Sequence, residues 1–201
     1  MLNFQKGTEQ ELSWKRNYRL ILAKKEERKP EYGKEEITIR TMVEADIFYL
    51  TKFLMDPVVL GWFPMSNLKE VQDATKVWLA YARKNASFTL EINGVPAGMA
   101  IVYVNSFEKL KDQSLFAIVV DAKHRGRGAG SKLLRFIMKQ ARDTFNIKLF
   151  HLEVYEGNPA YNLYYREGFR EYGKHEKFLK NADGTYGTKI FMQVDLTQLE
   201  L

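Results

Sequence analysis

The residues best placed to do chemistry in this chain form one short segment, Arg125-Gly126-Arg127-Gly128-Ala129-Gly130-Ser131. An apolar run ending in Val119-Val120 lies just before it, and a helix-forming stretch, Ser131 to Thr144, begins where it stops. Glycines at alternate positions let the backbone turn tightly and let an anion approach the N–H groups closely. A helix start adds roughly half a positive charge and several N–H groups without internal partners. Arg125, Arg127 and Lys132 raise the local potential further. The segment therefore reads as a pyrophosphate cradle. It is neither of two common ones. A Walker-type loop would end in Gly-Lys-Ser/Thr, and the dinucleotide fingerprint spaces its glycines GxGxxG. Here Gly126, Gly128 and Gly130 follow GxGxG.

Elements on either side must hold this cradle. Ile37 to Arg40 alternates as a strand, Glu44 to Met55 is an amphipathic helix stopped by Asp56-Pro57, and residues 69–85 form a second helix. Residues 88–92 and 97–104 read as antiparallel strands about an Asn93-Gly94 turn. Residues 114–120 and 148–154 are further strands, with the helix 131–144 between them. Residues 159–166 form a short helix and 189–196 a last strand. Antiparallel pairs come first and a strand-helix-strand unit later, so the fold class is mixed α/β of the α+β type. Ahead of this domain (36–201), residues 1–35 read as a helical arm, Gln10 to Lys29 with an aromatic stripe at Trp14 and Tyr18, and a linker at Pro30 to Gly33. The arm is expected to pack on the domain or on a second subunit, which admits a homodimer.

Composition narrows the chemistry. A length of 201 residues suits one well-cored domain, and 45% hydrophobic with 28% charged residues argues against disorder. With no cysteine, thiol nucleophiles, disulfides and thiolate zinc sites are excluded. The run Leu20 to Ala23 is too short for a signal peptide or membrane span, so a cytoplasmic protein without membrane association is expected. His124, His151 and His175 stand singly with no ligand spacing, and no metal is expected. The net charge of +6 favours an anionic partner. Basic residues in the arm alternate with acidic ones, as in Lys24-Lys25-Glu26-Glu27, which is a solvated face rather than a nucleic-acid tract.

The Arg-x-x-Gly-x-Gly frame of Arg125, Gly128 and Gly130 resembles the coenzyme A loop of the GNAT superfamily of N-acetyltransferases. About thirty residues on, Leu152 to Asn158 and Ala160 to Phe169 resemble that superfamily's second motif, and the order of elements from Ile37 to Leu196 is similar. The resemblance implies a central sheet of about six to seven strands, mostly antiparallel, with one parallel splayed pair and helices on both faces. It implies acetyl-CoA as co-substrate and an amine acceptor, either a small molecule or a protein amino group, attacking directly in a ternary complex. Backbone groups of Ile118, Val119 and Val120 would run beside the pantetheine arm and polarise the thioester carbonyl. Gly126 to Ser131 would hold the pyrophosphate.

An amine of pKa about 8–10 must lose a proton, and a leaving thiolate (thiol pKa about 8.5) benefits from an acid. On the same resemblance Tyr164, four residues before Gly168-Phe169, is the acid, with Tyr165 as fallback. Glu153 is the base, with Glu91 and Glu156 as weaker candidates. One departure stands out: the asparagine usually found seven residues before the tyrosine is here six before it, at Asn158, so its contact with coenzyme A is in question. The acceptor would approach near residues 53–63, 107–111 and 178–186. The alternative function is a non-catalytic coenzyme A-binding sensor or scaffold, which keeps the cradle and needs neither Glu153 nor Tyr164.

Overall fold

The computed structural model describes residues 35–181 and 183–200. The arm and linker expected within residues 1–34 lie outside the described residues. A single sheet of seven strands runs β1 (Ile37–Thr41), β2 (Ser87–Ile92), β3 (Val95–Tyr103), β4 (Gln113–Val120), β5 (Leu149–Tyr155), β6 (Arg170–Lys180) and β7 (Tyr186–Asp195) in sequence. Its spatial order is β1-β2-β3-β4-β5-β7-β6. All neighbours are antiparallel except β4 and β5. The expected mixed sheet with one parallel pair is thus observed.

Helices cover the sheet on both faces. α1 (Ile47–Leu54), α2 (Pro57–Leu60) and α3 (Leu68–Ala82) precede β2, α4 (Ala129–Asp143) joins β4 to β5, and α5 (Ala160–Arg166) follows β5. In α4 the stripe Leu133, Leu134, Ile137, Met138 and Ala141 has helical spacing and packs on Phe88, Phe116, Phe150 and Leu152. On the other face Leu50, Phe53 and Leu54 of α1 and Val71 and Trp78 of α3 pack on Met99, Ile101 and Val119. Asp56-Pro57 does end α1, and it also starts α2: the Asp56 carboxylate accepts from the N–H groups of Val58 and Val59, and proline suits the first helical position.

The sequence reading missed one strand, β6. Of its eleven residues only Gly173 and Leu179 are even half-buried, so it carries no apolar alternation to read. It lies at the sheet edge and pairs with β7 across a turn at Asn181–Thr185, where Gly184 adopts a φ of +85°.

The parallel pair is where the sheet opens. β4 and β5 pair only at Gln113, Ser114 and Leu115 against Leu149, Phe150 and His151. Beyond that point β4 stays with β3 up to Val120, and β5 stays with β7 up to Tyr155. Each strand keeps to its antiparallel partner and a gap opens between them. Phe116, at the start of the gap, stacks on Phe150 with centroids 4.5 Å apart and meets Phe169 at 5.6 Å.

The first strand is tied down by a buried carboxylate. Asp46, 2% exposed, accepts from Arg40 at 2.7 and 2.9 Å, from the Val43 N–H at 2.9 Å and from the Thr89 hydroxyl at 2.8 Å. Burial alone would raise the Asp46 carboxyl, but the bonds from Arg40, Val43 and Thr89 outweigh it and hold the group below its ordinary value. Asp46→Asn should cost about 2 kcal/mol, mostly from strained or lost partners of Val43 and Thr89 rather than from the part-exposed Arg40. The melting temperature should fall by about 4–8 °C at pH 7. Because the folded value is depressed, the difference from wild type is full above about pH 4 and shrinks as the pH falls further, which a pH series of thermal melts would read.

Candidate active site

The gap between β4 and β5 is the mouth of a cleft of about 790 Å³. Its walls come from both strands, from α2 and α3 with the loop between them, from the start of α4 and from α5. Most of the expected site residues meet here: Ile118, Val119, Val120, Arg125, Gly126, Gly128, Gly130, Ser131, Glu153, Asn158 and Tyr164 all line it. Two do not. Ala129 turns its side chain into the core beneath α4, and Arg127 lies exposed outside the lining residues.

Strand phase decides which backbone groups face the gap. The Asp121 N–H donates to the Ala97 carbonyl on β3. Backbone groups alternate sides along a strand, so those of Val119 and Ala117 also face β3 and those of Phe116, Ile118 and Val120 face the gap. The Val120 carbonyl confirms the phase by accepting from Arg125 Nε at 3.0 Å. Of the three strand residues expected to flank the donor, Ile118 and Val120 offer backbone and Val119 offers only its side chain.

At the end of β4 a 3₁₀ turn, Ala122–His124, leads into the glycines. Gly126 and Gly128 have φ values of +71° and +87°, where an added Cβ would meet nothing within 4 Å, so the backbone is both left-handed and open above. The first intrahelical bond of α4 runs from the Lys132 N–H to the Gly128 carbonyl, leaving the N–H groups of Ala129, Gly130 and Ser131 at the open end. Gly130 differs: its backbone is not left-handed, and an added Cβ would stand 3.3 Å from the end of the Leu163 side chain of α5, which would have to give way. Open glycines, a helix N-terminus and basic Arg125 make a cradle that fits a pyrophosphate. Arg125 is also a strut, since its guanidinium lies 3.6 Å from the Asp56 carboxylate that caps α2.

Tyr164 and Glu153 reach the gap from opposite faces of the sheet. Tyr164, on α5, is 8% exposed and packs against Phe116 and Phe169 in the core under α4. Burial pushes its phenol well above the ordinary value. The fallback, Tyr165, is half exposed, stacks on Tyr161 and Arg170, and does not line the cleft. In β5 the buried Leu152 and Val154 face α4, so Glu153 faces the α1 and α3 side. There Lys189 of β7, nearly buried, donates to Glu153 Oε2. Burial pushes the Tyr103 phenol up to about 12, with Tyr81 and Glu153 adding to it, and raises Tyr155 likewise. Burial lowers His151, against the opposing pull of Glu153. The other carboxylates considered as bases lie elsewhere. Glu91 is bound by Arg40, and Glu156 stands exposed near Lys174 outside the cleft lining.

Asn158 lines the cleft but has a structural task, its Oδ1 accepting from the Ala160 N–H at the start of α5. The sequence reading did not single out Lys189 or Arg166, both of which line the cleft. A lone basic residue in a strand or at a helix end carries no spacing signal. Of the regions expected to meet the acceptor, Trp62 and Phe63 line the cleft, whereas Phe107 and Tyr186 are exposed outside its lining.

Compared with known families, residues 53–169 match the acetyltransferase (GNAT) family. The chain belongs to the GNAT family. GNAT membership makes it an acetyltransferase and explains why the splayed pair and the glycine cradle occur together. Among solved structures it is similar to yncA from Salmonella typhimurium, solved with its cofactor acetyl-CoA, at 21% identity and a TM-score of 0.70, covering 82% of this chain and 96% of that one. It is also similar to ribosomal-protein-alanine N-acetyltransferase from Brucella melitensis (24% identity, TM-score 0.68, 79% and 99% covered). A chimera built on the spermidine N-acetyltransferase SpeG of Vibrio cholerae is a third (19%, 0.66, 81% and 96%). At these identities the likeness is one of fold. No curated protein matches the sequence. Among the described residues no helix is long and apolar enough to cross a membrane, and no group of three or more acidic, His or Cys side chains is arranged to hold a metal.

The cradle geometry gives a direct test. Gly128→Ala should cost about 1 kcal/mol through left-handed backbone alone, since the new methyl meets no atom, and lower the melting temperature by about 2–4 °C. Gly61→Ala, in right-handed backbone at the end of α2, should cost less in the same calorimetric scan.

Proposed function

We propose that this GNAT chain moves the acetyl group of acetyl-CoA to a primary amine in a ternary complex, with Tyr164 as acid and Glu153 as base. The observation that carries the reading is the approach of these two side chains to one gap from opposite faces of the sheet. An acceptor on the α1 and α3 side and a leaving sulfur on the α4 side would each meet the group they need. The bound donor supplies a thioester, whose carbonyl carbon is the electrophile. The N–H of Ile118 or Val120 polarises that carbonyl, and the N–H groups of Ala129 to Ser131 take the pyrophosphate. Glu153 Oε1 takes the proton that the amine nitrogen sheds as the C–N bond forms, directly or through one water, while Oε2 keeps its bond to Lys189. The C–S bond breaks and the sulfur takes the phenolic proton of Tyr164, which recovers it from solvent. The named activities of the structural neighbours, on spermidine and on a ribosomal-protein alanine, both concern amino groups and are consistent with an amine acceptor.

Tyr164→Phe should lower kcat by about 10²–10⁴-fold while leaving acetyl-CoA affinity within about twofold, read by release of free thiol and by calorimetric titration. Because burial holds the Tyr164 phenol protonated well past its usual pH near 10, the wild-type rate should show no alkaline loss attributable to it. A Tyr164→Phe enzyme with unchanged kcat would rule out the acid role. Tight acetyl-CoA binding with no thiol released from any amine would instead favour a coenzyme A sensor.

A further inference from the structure

The part of the cleft away from the glycine cradle has its own chemistry. Trp62 and Phe63 come from the loop after α2, Trp78 from α3, Tyr103 from β3 and Tyr155 from β5. Five aromatic rings thus line the side of the gap that Glu153 faces. Trp62 reaches across the cleft: a Cβ built on Gly157, in the turn after β5, would stand 3.8 Å from its indole Cη2. The indole therefore spans from the α2 side to the β5 side.

Charge on that side of the cleft does not favour a polycation. Of the charged residues lining the cleft, among those described, Arg125 belongs to the cradle end and Arg166 to α5, which leaves Lys189 and Glu153 beside the rings, one cation and one carboxylate. Glu153 is already paired with Lys189, whose ammonium also sits over the Phe178 ring, 3.5 Å from its centroid. An acceptor bringing a second ammonium would face Lys189 with no unpaired carboxylate to receive it, in a partly desolvated space where like charges repel strongly. An acceptor bringing an apolar ring would meet faces and edges of other rings.

We propose that the acceptor is a primary monoamine carrying an aromatic ring on a short alkyl linker, an arylalkylamine, with the Trp62 indole as its lid. This rests on the acetyl-transfer reading above and specifies the amine of that same step. Arylalkylamines present one nitrogen to Glu153 and bury the rest of the molecule against rings. Polyamines and lysine-bearing peptides bring charge or polar backbone that the lobe does not match.

Thiol release with acetyl-CoA would be measured for 2-phenylethylamine, hexylamine, spermidine and a lysine-containing peptide. Phenylethylamine should exceed spermidine and the peptide in kcat/KM by at least tenfold, and hexylamine by severalfold. Trp62→Ala should raise KM for phenylethylamine at least tenfold with a smaller effect on kcat, and Trp62→Phe should restore most of the loss. Lys189→Met, which frees Glu153, should move the spermidine-to-phenylethylamine ratio at least fivefold toward spermidine. Quenching of tryptophan fluorescence by phenylethylamine in the presence of coenzyme A reads binding without turnover. Spermidine or the peptide used as well as phenylethylamine overturns the inference and leaves the acetyl-transfer reading standing. A preference for hexanoyl-CoA over acetyl-CoA that Trp62→Ala abolishes also overturns the inference, because the lobe would then hold the donor's acyl chain, and it changes the acyl group of the proposed reaction while leaving acyl transfer to an amine in place. A panel with no thiol release overturns the acetyl-transfer reading and this inference with it.

Discussion

Everything in the site depends on β4 and β5 pairing for three residues and no further. Two strands joined along their whole length would satisfy each other's backbone groups and leave nothing for a ligand. Here Phe116, Ile118 and Val120 turn N–H and C=O groups toward an open gap, a costly state for backbone unless something polar fills it. One of those carbonyls, that of Val120, is met by Arg125. The others are the natural partners of an extended, amide-bearing ligand, which would complete the sheet as a missing strand does. The antiparallel neighbours make the gap tolerable: β3 holds β4 to its end, β7 holds β5 to its end, and neither strand needs the other for stability.

The same opening sets the roles of the surrounding elements. α4 must begin at the mouth of the gap for its N–H groups to face an anion there, and Gly126 and Gly128 permit the turn that puts it there. α5 must lie close to α4, which the missing side chain of Gly130 allows by admitting Leu163. That contact holds α5 close to the gap and so keeps Tyr164 at its edge. Arg125 couples this end of the cleft to the opposite wall through Asp56, whose other bonds cap α2 and so help to aim Trp62. One side chain therefore links the glycine cradle and the α2 wall of the cleft.

Much of this was legible in the sequence because the signals are local. The cradle combines strand, glycines and helix start within about a dozen residues, and each is a backbone requirement that composition reveals. The second motif gave Tyr164 its place through its distance from Gly168-Phe169. What was not legible arises from long-range pairing. Strand β6 has no buried face and exists because β7 offers it an edge. The Lys189 to Glu153 pair joins residues 36 apart, brought together only by the β5–β7 register in which Glu153 faces Phe191 and Tyr155 faces Lys189. The displaced asparagine shows a third case: the bond from the Ala160 N–H to the Asn158 side-chain oxygen, which caps α5, carries no signal in the spacing that the motif provides.

The Glu153 to Lys189 pair is also where the chemistry is most constrained. Lys189 engages Oε2 of Glu153, so under the proposed reading Oε1 is the oxygen left to take a proton from the acceptor. An ammonium leaving water for a lobe walled by aromatic rings is itself driven toward the neutral amine by desolvation, since burial disfavours the charged form of a base as it does that of an acid. Under the proposed reading, rings that select the acceptor's body would therefore also lower the work left for Glu153. On that reading the aromatic wall and the Lys189-held carboxylate are two halves of one arrangement, the first favouring loss of the acceptor's charge and the second receiving its proton.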